Sequence, residues 1–123
     1  MKRLLSIIES PLHPDFSALY RRLNIEETRV SSMRKAISIL KTEPPGLIVC
    51  EFFYGYSNNY AGVNISNLDV MLASLQKYSP QSRVIVLVDK SERQYVDTLS
   101  ALFPLHAVLV YPVTEQALTA ALS

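Results

Sequence analysis

The chain is poor in the residues that build several common kinds of site. It has one cysteine, Cys50, no tryptophan and only three glycines in 123 residues. One thiol excludes an internal disulfide framework and a cysteine-built zinc site, and fits a reducing compartment, so a cytoplasmic protein is expected. Scarce glycine argues against phosphate-cradling loops, which need backbone close to an anion. No run approaches the ~20 apolar residues of a membrane span. Met1-Lys2-Arg3 ahead of Leu4, Leu5, Ile7 and Ile8 has the look of a leader, but Glu9, Pro11, His13 and Asp15 cut the apolar stretch short. It is read as a first buried strand, with no membrane partner.

Charge of one sign is also lacking: 12 Lys+Arg face 11 Asp+Glu, a formal net charge of +1. Such a balance carries no whole-chain signature of nucleic-acid binding. The distribution is less even, with eight basic and four acidic residues in 1–41, then four and seven in the remainder. Arg21-Arg22, Arg34-Lys35 and Lys41 could line one face made by the first two helices, read as solvated, with an acidic protein partner or nucleic acid as the alternatives. The 49% hydrophobic content is ample for a core, and the length suits one domain over 1–123.

What is present is an alternation of apolar runs and helical periods. Leu4–Ile8, Leu47–Cys50 with Phe52 and Phe53, Val84–Val88 and Val108–Tyr111 are continuous rather than alternating, as in strands covered on both faces. Met33, Ala36, Ile37 and Leu40 follow Ser31 or Ser32 at helical spacing. Leu68, Met71, Leu72 and Leu75 repeat it behind a Ser66–Asp69 capping box. Ser91 with Gln94 opens a helix carrying Tyr95, Leu99 and Leu102, and Thr114 caps one with Leu118 and Leu122. Pro14 suits the first position of a helix bearing Phe16, Leu19, Tyr20 and Leu23. Residues 26–31, polar around Val30, must then hold a strand at a sheet edge. The pattern predicts a flavodoxin-like (βα)5 fold, a parallel sheet of order 2-1-3-4-5 with helices on both faces.

Ligands of such sheets bind beyond the carboxyl ends of the strands. Glu9 and Ser10 follow the first strand, Glu51 ends the third, Val88-Asp89 the fourth and Tyr111-Pro112 the fifth. The order of elements, the acid ending the third strand and the X-Pro after the fifth resemble the receiver domain of bacterial response regulators. That resemblance implies a phosphoacceptor position at Glu51 and an acidic pair at Glu9-Ser10. It puts the hydroxyl position at Val88, the lysine at Tyr111, the aromatic switch at Leu109 and a cis peptide before Pro112. Each matched position departs from the family's chemistry. One carboxylate of the cation-holding pair is missing, and neither Val88 nor Tyr111 offers a positive charge to a phosphoryl group. The implied function is a signalling module without phosphotransfer, not an enzyme, working through a protein partner or a homodimer. In the family that dimer face comprises the fourth helix, fifth strand and last helix, here carrying Tyr95, Leu99, Val110 and Leu118.

Glu51 then stands either as a solvated or paired strand-end carboxylate, as a built-in charge in the place of a phosphate, or with Glu9 and Asp89 as a weak cation site. No cofactor is expected: Ser10-Pro11-Leu12-His13-Pro14 has no glycine, and its two prolines remove N–H donors. His13 and His106 lack partners at metal-ligand spacing, and Cys50 reads as a buried, inert thiol. Residues 52–65 are richer than their surroundings in Tyr, Asn and Gly, including Tyr54, Tyr56, Asn58, Asn59 and Tyr60. That is the composition of adaptable contact loops. The segment is expected to plug the pocket, to bind a partner, or to be the lid of a flavodoxin-like small-ligand domain.

Overall fold

The structure is a computed structural model that describes residues 2–9, 15–54 and 68–122. Its order is β1 (Lys2–Ile7), α1 (Ser17–Arg22), β2 (Ile25–Val30), α2 (Met33–Thr42), β3 (Leu47–Glu51), α3 (Asp69–Tyr78), β4 (Arg83–Val88), α4 (Arg93–Leu102), β5 (Ala107–Val110) and α5 (Glu115–Leu122). All strand pairs are parallel and the order is β2-β1-β3-β4-β5. The flavodoxin-like expectation therefore holds. β3 and the last five residues of β4 are buried throughout, which is why they read as unbroken apolar runs. β2 pairs with β1 from Lys2↔Ile25 to Ile7↔Val30 and has only Ile25 buried, as suits an edge strand.

Alternation along the strands sorts side chains into two cores. Leu5, Ile7, Ile48, Cys50, Val84 and Val86 face α2, α3 and α4, meeting Leu40, Leu72 and Leu99. Leu4, Leu47, Val49, Ile85 and Leu87 face the other way, onto Leu19 and Tyr20 of α1 and Leu118 and Leu122 of α5. Because α1 and α2 cover opposite faces of the sheet, Arg21-Arg22 and Arg34-Lys35 do not form the single basic face expected of them. Arg22 instead pairs with Glu115 of α5 at 3.1 Å.

The helix ends follow local hydrogen bonding. Ser32 Oγ accepts the Lys35 N–H at 3.2 Å, and Thr114 Oγ1 accepts that of Ala117 at 3.1 Å, as expected of caps. Ser91 does not act as a cap. Asp89 takes its N–H at 2.9 Å, which winds Lys90–Glu92 into a 3-10 turn before α4 begins at Arg93. Asp15 likewise accepts the Ser17 N–H at 2.9 Å, so α1 begins at Ser17 and not beside Pro14. α1 closes at Asn24, whose φ of 61° is one an amide side chain tolerates. α3 is described from Asp69; Ser66 of the expected capping box lies outside the described residues. Leu102 departs from its core stripe and is 63% exposed.

Candidate functional site at the strand ends

β3 delivers Glu51 to the end of the sheet, where its side chain is only 1% exposed. A buried carboxylate needs donors. It has one from each side. The backbone N–H of Glu9, just past β1, donates to Glu51 Oε1 at 2.7 Å. The hydroxyl of Tyr111, just past β5, donates to Oε2 at 2.8 Å. Bonds of this kind, to an ionised acceptor, are roughly twice as strong as neutral ones. β5 is not a neighbour of β3, so the Tyr111 bond passes over the end of β4.

The surrounding titrations carry the imprint of this charge. Burial, and then the Glu51 charge, push the Cys50 thiol up to about 12, so Cys50 is the inert buried thiol expected. The Tyr111 hydroxyl is held well above its usual value, first by burial and then by its bond to Glu51. It stays protonated and acts as a donor, never as a cation. Glu9's carboxyl is raised by partial burial and by repulsion from Glu51. Asp89 goes the other way: it is exposed, and the Ser91 hydroxyl and N–H hold its carboxyl below the usual range.

Of the positions predicted for this site, Glu9, Glu51 and Tyr111 come together. Val88 is buried at the end of β4, where its carbonyl accepts the Tyr111 N–H at 2.9 Å. Tyr111–Pro112 is a cis peptide. Asp89 is engaged in capping the turn before α4. Among the described residues no three His, Cys, Asp or Glu side chains gather in a group that could hold a metal ion. Ser10, Tyr56, Asn58, Asn59 and Tyr60 lie outside the described residues.

Tyr54 is described, and its surroundings were not foreseen. Its N–H donates to Glu92 at 3.1 Å, and its ring stacks on Tyr95 of α4 with centroids 3.7 Å apart and planes 13° from parallel. The chain leaving Glu51 is thus laid against the start of α4. The sequence signal for it is slight: one tyrosine three residues past β3 and another in the first turn of α4. On the α4–β5–α5 side, Leu99 and Leu118 are fully buried and cannot serve a dimer face, whereas Val110 is exposed.

Searches with family models and among curated proteins return no match. Solved structures do match. A CheY-like response regulator receiver domain protein from Methanospirillum hungatei JF-1 superposes with a TM-score of 0.76 at 11% identity, over 99% of this chain and 90% of that one. A receiver domain protein from Clostridium thermocellum gives 0.75 at 16%, over 98% and 90%. The chain has the receiver fold. Vibrio cholerae chemotaxis protein CheY4 extends the agreement, with a TM-score of 0.74 at 14% identity over 99% of this chain and 96% of that one. In this chain the ends of β1, β3 and β5 are joined through an amide, a glutamate and a phenol. Among the described residues no helix is long and apolar enough to cross a membrane.

Proposed function

We propose that this receiver-fold chain is a non-enzymatic signalling module that has given up phosphotransfer and works through protein contacts. The observation that carries the reading is the occupancy of Glu51. Its two oxygens accept the Glu9 N–H and the Tyr111 O–H. A carboxylate that is to attack phosphorus needs a free oxygen, a divalent cation beside it and a positive group for the transferred phosphoryl. At the position where the resemblance would place a lysine, Tyr111 brings a neutral hydroxyl that is already committed. Losing one such contact costs about 3 kcal/mol in a transition state, and several are absent together.

In this reading Glu51 replaces a transient phosphate with a permanent tie between the ends of β1, β3 and β5. The module is a single domain of the cytoplasm, holds no cofactor or metal, and reads neither nucleic acid nor membrane. Incubation with Mg²⁺ and acetyl phosphate, followed by intact-mass measurement, is expected to show the unmodified chain alone. A stoichiometric adduct of one phosphoryl group, lost on Glu51→Gln, would overturn the reading.

A further inference from the structure

Away from the strand ends, a cleft of about 570 Å³ is lined by α2, α3 and the end of α4. Its volume is in the range that accommodates ligands and anchoring side chains, roughly 300–1,000 Å³. Among the described residues six large hydrophobic side chains are exposed, and three of them, Val70, Tyr78 and Leu102, line this cleft. Val70 is 55% exposed and Leu102 63%. Scattered exposed apolar residues need no explanation; three that converge on one concave surface are the reason to consider it as a contact surface.

The charges around the cleft are as informative as its floor. Lys41 from α2 and Lys77 from α3 both lie over the Tyr78 ring, with Nζ 5.5 and 5.2 Å from its centroid. Neither is in an ion pair among the described residues, where the pairs are Arg22–Glu115 and Arg93–Asp97. Both lysines occupy the last turns of their helices, so carbonyl ends take up part of their charge. Two ammonium groups on one ring still leave that end of the cleft positive. Asp69 also lines the cleft, but it is buried, already engaged, and nine residues away along α3. The cleft is therefore apolar along its length, with a cationic end.

We propose that this cleft binds an acidic amphipathic helix of a partner protein. Leucine-like side chains of that helix lie against Val70 and Leu102, and a Glu or Asp carboxylate sits between Lys41 and Lys77. Packing of one helix against a groove walled by others uses anchors at helical spacing. The proposal extends the protein-contact part of the function above and needs nothing of Glu51: a chain that accepted phosphate would keep the cleft.

The test is selection of random displayed peptides of about 16 residues, between four and five helical turns, against the purified full chain. Amide chemical shifts then map where a selected peptide binds. Enriched peptides are expected to carry Leu or Ile with Glu or Asp at three- and four-residue spacing, and to perturb α2, α3 and the end of α4. Lys41→Gln combined with Lys77→Gln should weaken binding at least about tenfold, with the urea midpoint lowered slightly by the loss of cations at two helix carbonyl ends, and Leu102→Ser should weaken it severalfold with the midpoint unchanged. No enrichment, enrichment without acidic residues, or shifts mapping elsewhere would overturn the proposal. So would a concentration-dependent dimer that Leu102→Ser dissolves, since the occupant would then be a second copy of the chain. Because phosphorylation is read by mass and the cleft by peptide binding, either reading can fail without the other.

Discussion

The end of the sheet and the cleft beside α3 handle exposed chemistry in opposite ways. At the sheet end the polar groups are already engaged, within the site or by the neighbouring turn. Glu51 is buried with a donor on each oxygen, Tyr111 spends its hydroxyl there, and Asp89 is spent on a turn. In the cleft, apolar side chains face solvent and two lysines hover over an aromatic ring. A self-satisfied polar cluster contributes to stability and has little left for a ligand; an exposed apolar cleft gains nothing from the fold and has its contacts in hand. Mutations in the first should therefore move folding, and those in the second should move binding.

The sharpest way to break this contrast is Glu51→Ala. It strips two partly buried donors of their acceptor and should destabilise the chain by about 3 kcal/mol, since bonds to charged groups contribute roughly 1.5–3 kcal/mol each. Urea unfolding measures it. A loss under about 0.5 kcal/mol would put the sheet end in the same class as the cleft. Glu51→Gln keeps one acceptor and should lie between the two.

Next in size is Tyr111→Phe, expected to cost about 1.5–2 kcal/mol at neutral pH through loss of the charge-assisted bond to Glu51. It also has a pH signature. Tyr111 is raised in the folded chain, so its contribution is fully present below the usual tyrosine pKa near 10 and drains away as pH rises beyond it. Stability of the wild type should fall above pH 10 more steeply than that of the variant. The difference corresponds to one proton, about 1.4 kcal/mol per pH unit. Parallel urea midpoints between pH 9 and 11 would deny the Tyr111–Glu51 bond.

The smallest effect has the opposite sign. Glu9's carboxyl is raised by burial and by Glu51, so its ionisation opposes folding at neutral pH. Its favourable share is present below the ordinary carboxylate pKa and is lost as pH rises through the raised value. Glu9→Gln should raise the urea midpoint slightly at pH 7, and the gain should vanish by pH 4. Unchanged midpoints at both values would mean that the Glu9 side chain does not sense Glu51.

Much of the fold was legible because both-sided burial leaves an unmistakable mark on β3 and β4. β2 was found by topology, since an edge strand with one buried residue has almost no pattern of its own. Helix starts were harder. Ser91 and Asp89 both have capping chemistry, and only geometry decides that Asp89 accepts and Ser91 donates. Leu102 keeps the helical period yet sits at the last position of α4 and lines the cleft. At the site, Glu9, Glu51 and Tyr111 could be placed at the strand ends from position alone. Their bonding could not: at the matched lysine position a tyrosine reads as a lost charge, and its reach to Glu51 is a matter of side-chain direction. The cleft left no trace in the sequence, because its residues come from three helices and no one helix shows the others' contribution.

The bond that crosses over β4 has a mechanical side. In a parallel sheet, load on an outer strand passes inward one ladder at a time, and β5 hangs on β4 alone. The Tyr111–Glu51–Glu9 chain adds a second, shorter line from the end of β5 to the end of β1, bypassing the ladder between them. A pull on the C-terminal segment is thereby shared across four strands from the first moment. Peeling β5 away becomes an event that the middle of the sheet must feel.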